Sequence, residues 1–422
     1  MSTRLLYRVR RPRARGGRGG GGPIWFNRAV PKPVAGTATL TETPALVTDV
    51  HLRSVVAGVR GFGRAGIPLV AAARERSAPG LWSRYTRVRA LVPDVLSDPE
   101  AFADAVLALA RKHSPVVVYP GREEALDALL DRVHELPDGA VLPYPRAPVV
   151  RRFRYKPGLA ELGAEAGLVS PRVLALAAAG ELRGRSLPLP CVIKEVEPGG
   201  VVNQTTTVGT ELELRAFLGG LPDEQPLLVQ ERVLGPLVGL TLLLERDGRV
   251  AARFQQRAER TWPAAAGGSS LAVSVAPDEA LVEQAAKMLS AGGYWGFAQV
   301  QFIGAAEGYV LIDVNPRFYG TLPLALACGV NFCAGWHAVA LGEPPPPQPD
   351  YPAGFVYRWF EGDLSAAFRG YPRRLLYPPG RARAGAAWAR DDPAPSFLLS
   401  GRSVKQRVDR RLRDAAARLV RH

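Results

Sequence analysis

The sequence predicts an α/β chain: a parallel α/β domain over about residues 44–150, a mixed α+β region over 151–345, and an appended segment over 346–422. Three observations carry this reading. Between residues 44 and 135, short apolar runs alternate with helix-period segments, the pattern of strand–helix units that build a parallel sheet. After Arg151 the pattern changes to strands joined by tight turns, as at Asp247-Gly248. Residues 1–32 hold nine Lys/Arg and no acid among many glycines and prolines, a composition that buries no core. Residues 1–43 are therefore expected to form a disordered basic tail.

The elements follow in order. "PALVTDV" (44–50) reads as the first strand. "HLRSVVAGVRGFGRAG" has helical spacing at Leu52, Val55, Val56 and Val59, and Gly66 suits a helix C-terminus. "IPLVAAA" is a second strand. "DPEAFADAVLALARKH" is a helix with a capping-box-like start at Ser97 and Glu100. "PVVVYPG" is a third strand, and "REEALDALLDRVHEL" an acidic helix. Beyond 151, a helix opens with Lys156. A strand, "PCVIKEVEPGG", carries Lys194 into a Gly-rich loop. A helix over 211–218 and the strand "PLLVQERV" follow, then the hairpin "GLTLLLERDGRVAARFQQR". The helix "DEALVEQAAKMLSAGG" precedes two strands, "GFAQVQFIG" and "YVLIDVNP".

"GFGRAG" matches a dinucleotide fingerprint letter by letter, but its glycines come at the end of a helix rather than between a strand and a helix start. It is read as structural. No G-x-x-x-x-G-K-[ST] loop is present. The formal charge of +15 invites a nucleic-acid reading. The tails 1–32 and 401–422 carry that whole excess, so the body between them is neutral and no nucleic acid is expected at the core. "SVKQRVDRRLRDAAARLV" places Val404, Val408, Leu412 and Leu419 at helical spacing. This basic amphipathic helix is expected to pack on its own protein rather than on a membrane. The uncharged run 321–342 has membrane-span length, but its Pro323, Asn331, His337 and glycines favour a buried helix and turn. Cys191, Cys328 and Cys333 have no metal or redox spacing, which suits reduced thiols in a cytoplasmic protein.

The stretch "YVLIDVNPRFYG" (309–320) carries the chemistry. Strand alternation would give Val310, Ile312 and Val314 to one face, and Leu311, Asp313 and Asn315 to the other. Gln299 and Gln301 share a face of the preceding strand, and antiparallel pairing would add a Gln amide to the Asp and Asn. Oxygen ligands with one formal charge suit Mg²⁺, or Mn²⁺, that takes its remaining ligands from water and phosphate. Arg317 follows, where a fixed guanidinium could hold an oxyanion. A polar pair satisfied at a strand end would show the same letters. The order of the surrounding motifs separates the two readings.

With Lys156, the Lys194 strand and its loop, "LLVQERVLG" and "FAQVQF…YVLIDVNPRFYGTLPLALACGVNF", residues 44–370 resemble the ATP-grasp superfamily. The likeness is to its carboxylate–amine ligases and carbamoyl-phosphate-synthetase-like members. The resemblance implies a Rossmann-like pre-ATP-grasp domain followed by an α+β ATP-grasp fold. It also implies roles. Lys156, Lys194, Gly199 and Gly200 would meet ATP phosphates, and Gln230, Glu231 and Val233 the adenine. Gln301 and Asp313 would hold one Mg²⁺, and Asp313 and Asn315 a second. Arg317 would stabilise the transferred phosphoryl group, and Arg260 would contact substrate. The sequence departs from the family in three places: Asp313 where many relatives have Glu, no acid in "GPLVGL" after the hinge, and an unusual loop "PGGVVNQTTTVG".

The implied function is an ADP-forming ligase that activates a small-molecule carboxylate as an acyl phosphate for attack by an amine, in a chain that can form homo-oligomers. Two alternatives stay open: a non-catalytic nucleotide-binding module that regulates or scaffolds a partner, and a protein acting through its basic tails.

Overall fold

The computed structural model describes residues 40–196, 205–263, 267–370 and 382–402. The N-terminal tail, the helix expected over 404–419, and Gly199 and Gly200 lie outside the described residues.

The first layer is a parallel sheet with helices between its strands: β1 (Ala45–Val47), α1 (Arg53–Arg64), β2 (Leu69–Ala73), β3 (Thr86–Leu91), α2 (Pro99–His113), β4 (Val116–Tyr119), α3 (Glu123–Asp131) and β5 (Ala140–Val141). Its order is β3-β2-β1-β4-β5. Strand β3 escaped the apolar-run reading because "TRVRAL" sits at the sheet edge, with every second residue exposed. The N-cap of α2 is Asp98 rather than Ser97; its carboxylate accepts from the Ala101 N–H at 2.9 Å. Gly61 and Gly63 lie inside α1 and Gly66 just past it, at φ +78°, which fits a helix ending and not a nucleotide turn.

Helices α4 (Ala147–Arg154) and α5 (Leu159–Glu165) lead into a four-stranded antiparallel sheet. It contains β6 (Val173–Ala178), the short α6 (Ala179–Leu182), β7 (Cys191–Glu195), β8 (Thr206–Val208), α7 (Glu211–Gly219) and β9 (Pro226–Glu231), in the order β6-β9-β7-β8. Helix α7 opens with a capping box formed by Thr210 and Glu213.

The third layer is built from β10 (Leu237–Leu244), β11 (Val250–Trp262), β12 (Gly268–Val275), α8 (Glu279–Ala291), β13 (Gly296–Ala305), β14 (Gly308–Asn315), α9 (Leu322–Ala327), α10 (Phe332–Leu341), β15 (Val356–Arg358), α11 (Phe360–Ala367) and β16 (Ala382–Gly385). Its seven strands run β14-β13-β10-β11-β12-β15-β16. The uncharged run 321–342 splits into α9 and α10, with Asn331 capping the second by accepting from the Cys333 and Ala334 N–H groups. Among the described residues no helix is long and apolar enough to cross a membrane. The strands β15 and β16, from the stretch read as appended, complete this sheet.

The seven-stranded sheet buries both faces. Leu240, Leu242, Val300 and Val314 pack with Leu281, Ala285 and Leu289 of α8. Leu243, Phe254, Ala272 and Phe297 of the other face join Phe318, α10 and the residues of β1, β2 and β4 in one continuous core. The contact is close. A Cβ on Gly58 of α1 would lie 2.6 Å from the Phe318 ring. That packing presses the end of β14 and the turn after it against the first layer.

Candidate active site

The site is set by the register of three antiparallel strands. Gln301 stands opposite Asp313 and Gln299 opposite Asn315 in the β13–β14 pair. Gly239 stands opposite both Gln301 and Gln256, and Thr241 opposite Gln299. Directly paired residues share a face, so these seven positions form two polar rows on the face turned toward the first layer. Gly239 leaves room for them: a Cβ there would lie 3.1 Å from Gln299 Nε2 and 3.2 Å from Gln256 Nε2.

Simple alternation fails in β14. The register slips between Gln301 and Phe302, so that Phe302 pairs with Leu311 and Ile312 is an extra residue. Leu311 therefore enters the α8-side core with Val314, instead of sharing the face of Asp313 and Asn315. Val310 and Ile312, expected in the core, are only partly buried. The bulge frees a carbonyl from regular pairing. Lys194 of β7, buried in the four-stranded sheet, reaches across and donates to Ile312 O at 2.9 Å.

Asp313 Oδ2 accepts from Asn315 Nδ2 at 3.3 Å, and Gln301 Nε2 donates to Gln299 Oε1 at 3.3 Å. Burial pushes the Asp313 carboxyl up. Lys156 and Lys194 pull it back, Glu123 adds to the rise, and Arg317 opposes it. Burial lowers Lys194, against Asp313 and with Lys156. These mutual effects put both lysines, Glu123, Arg317 and Asp313 in one electrostatic neighbourhood. Lys156 begins the short 3₁₀ turn Lys156–Gly158 ahead of α5.

Arg317 is held by a residue that the sequence reading did not single out. Its Nε donates to Glu123 Oε1 at 2.9 Å, and its Nη1 to Phe318 O at 3.4 Å. Glu123 is the first residue of α3. Its other oxygen accepts from Arg154 Nη2 at 3.3 Å, while Arg154 also donates to Asp127. Burial raises Glu123, but Arg317 and Arg154 outweigh it and hold the carboxyl below its ordinary value. The signal in the sequence was positional: Glu123 follows a parallel strand and starts a helix, where open α/β sheets place functional groups.

The remaining candidates divide. Gln230 stands opposite Val192 while Leu228 stands opposite Lys194, so Gln230 shares the Lys194 face of the four-stranded sheet. Its side-chain oxygen is buried without a partner. Glu231 lies on the other face and accepts from the Arg172 backbone N–H at 2.9 Å. Val233 lies in the partly buried connection after β9. Arg260 is not brought to Asp313. A register shift after Ala258 pairs Arg260 with Leu271 and Leu271 with Arg358, on the face opposite the polar rows. There Arg260 and Arg358 both donate to the buried carboxylate of Asp363, at 2.5 and 2.9 Å.

The donor set can be tested against Mg²⁺. Among the described residues no three His, Cys, Asp or Glu side chains converge. The rows offer one carboxylate and neutral amide oxygens, with two lysines beside them. Hard oxygen donors fit Mg²⁺ only where phosphate oxygens supply the rest of the shell and the negative charge. Lys156 and Lys194 add positive charge beside that carboxylate.

A family model described as "ATP-grasp in the biosynthetic pathway with Ter operon" matches residues 223–362, which include both polar rows. Solved structures with the same fold include the N5-carboxyaminoimidazole synthetase of Staphylococcus aureus. It is 12% identical, with a TM-score of 0.59 over 78% of this chain and 86% of that one. Biotin carboxylase from Campylobacter jejuni, solved as a β-γ-ATP complex, is 16% identical, with a TM-score of 0.58 over 75% of each chain. The L-amino acid ligase of Bacillus licheniformis is 18% identical, with a TM-score of 0.53 over 72% of this chain and 75% of that one. No curated protein matches the sequence.

Proposed function

This chain has the ATP-grasp fold, and from that premise we propose that it is an ADP-forming ligase joining a carboxylate to an amine. The observation that carries the reading is the convergence of Lys156, Lys194, Asp313 and Arg317 beside the two amide rows, with Glu123 of the first layer against Arg317.

ATP would lie between the four-stranded sheet and the β13–β14 edge, with its phosphates toward Lys194 and Lys156. Asp313, Asn315 and Gln301 would hold Mg²⁺, which when bound withdraws charge from the phosphate oxygens. In the first step a substrate carboxylate oxygen attacks the γ-phosphorus. The bond from that phosphorus to the β–γ bridging oxygen breaks, and ADP leaves. The lysines and Arg317 neutralise charge on the transferring group. In the second step an amine nitrogen attacks the acyl carbon, phosphate departs, and the nitrogen loses a proton. Closure of the four-stranded sheet over the site would keep water from the acyl phosphate.

The test is product analysis with ATP, Mg²⁺ and pools of carboxylates, with and without amines. Carboxylate-dependent ADP is expected; AMP would mean adenylation and overturn the mechanism. Asp313→Asn should lower ADP formation at least 100-fold without lowering the melting temperature, because the native carboxyl is pushed up by burial and its ionisation costs stability. Turnover within a few-fold of wild type would refute the site.

A second reading is favoured by one observation. The polar rows contain a single carboxylate, with glutamine opposite it. A module that binds nucleotide without turning it over would give measurable ATP affinity and no ADP from any carboxylate.

A further inference from the structure

The turn that carries Arg317 has a second guanidinium against it. Arg53 is the first residue of α1, at the C-terminal edge of the first sheet. Its guanidinium carbon lies 4.1 Å from the centroid of the Trp359 ring. Its Nη2 faces Gly320, where an added Cβ would lie 3.1 Å away. Its Nη1 is buried with no hydrogen-bond partner. Tyr357, whose hydroxyl donates to Gly320 O at 2.9 Å, stands in the field of Arg53.

The neighbouring buried and half-buried arginines are paired. Arg317 and Arg154 hold Glu123, Arg260 and Arg358 hold Asp363, and Arg60 holds Asp392. Among the described residues no carboxylate pairs with Arg53. Glu361, which also acts on Tyr357, accepts from Ser400. Arg53 is partly buried and hydrogen-bonds Tyr357, but its guanidinium has no carboxylate partner among the described residues, so an arriving anion would gain a charge-assisted hydrogen bond there.

A second observation points to the same place. Gln256, 3% exposed, donates to the hydroxyl of Thr321, the residue after Gly320, and so fixes the turn beside Arg53. The Thr241 hydroxyl, fully buried two residues from Gly239, meets Tyr319 of the same turn. Both lie on the face that carries Asp313. Helix α1 also starts without an acidic residue in its first turn and without a side-chain cap, so its positive end is uncompensated.

We propose that Arg53 anchors a second anionic group of the carboxylate substrate. The substrate class is then acids with two negatively charged groups. One carboxylate reacts beside Arg317, and a second carboxylate or a phosphate group sits against Arg53, Tyr357 and Gly320. This inference rests on the ligase reading and narrows it. Arg53 selects the substrate and takes no part in phosphoryl transfer.

The test has two arms on the full chain. The first measures acid-dependent ADP release with matched probes: monocarboxylates, dicarboxylates and phosphorylated carboxylates of equal chain length. Dianionic acids are expected to have KM values at least ten-fold below their monoanionic partners. Arg53→Met should raise those KM values ten-fold or more, with kcat changed less than three-fold and monocarboxylates unaffected; Arg53→Lys should restore part of the loss. The better of the two dianionic sets identifies carboxylate or phosphate as the second group. Equal KM for mono- and dianionic acids, or no response to Arg53→Met, overturns the proposal while leaving the ligase reading intact. The second arm measures direct binding of succinate, glutarate and phosphoglycolate by calorimetry, without ATP. Binding by wild type that falls ten-fold or more in Arg53→Met supports the anion site even if no ADP forms, which would count against the ligase reading alone. Absence of binding and of dianion-dependent turnover together overturns the site.

Discussion

Glu123 shows how a single carboxylate can serve a site without lying on its strands. It bonds Arg317 through Nε and Phe318 O takes Nη1, which leaves Nη2 of that guanidinium for an anion. Glu123 is thus a positioning residue for Arg317. Glu123→Gln should raise the KM for the carboxylate five-fold or more with a smaller change in kcat, and Glu123→Asp should recover part of the loss. Stability should respond with a definite sign. The folded-state carboxyl is held below the ordinary glutamate value of 4.5, so its contribution is present above that pH and is lost as the pH falls through the folded value. Glu123→Gln should therefore cost about 1–3 kcal/mol near pH 7, and the difference from wild type should shrink below pH 4. Urea unfolding at both pH values checks this; a pH-independent difference would count against the ion-pair account.

At the scale of elements, the bulge at Ile312 is the feature on which the site turns. It sends Leu311 into the core and frees the carbonyl that Lys194 holds. Deleting Ile312 would restore alternation, pair Leu311 regularly and remove the lysine's acceptor. ATP affinity should fall at least ten-fold while circular dichroism keeps the native sheet content; unchanged affinity would show that Lys194 needs no such tether. The alternation rule could find Asp313 and Asn315 facing one way but not this slip, because a bulge depends on the partner strand and β13 leaves no mark of it in β14. The long helices and the hairpin at Asp247-Gly248 were legible because their periods and turn residues are local. Strand β3 was not, since an edge strand with exposed arginines has no apolar run. The face Arg260 takes was hidden for the bulge's reason: a register shift after Ala258 turns it away from Asp313. Glu123 and Arg53 became visible as site residues only when the first layer met the turn after β14.

The whole molecule is held together by a core that crosses its layers. Phe318 and Trp336 pack on Phe62 and Tyr119, with Phe297 behind them, so the first sheet borrows much of its covering from residues beyond 290. A fragment of residues 40–150 should therefore fail to form a cooperative fold, with a broad or absent thermal transition. A sharp two-state transition for that fragment would show the first layer to be self-sufficient. The last described segment also returns to the first helix. Arg60 of α1 is buried and donates to Asp392, Ala387 and Ser396, and Arg64 pairs with Asp391. For a chain made from its N-terminus, α1 emerges from the ribosome hundreds of residues before its buried arginine can find its acceptors. A late-made segment thus supplies the piece that lets an early helix finish folding.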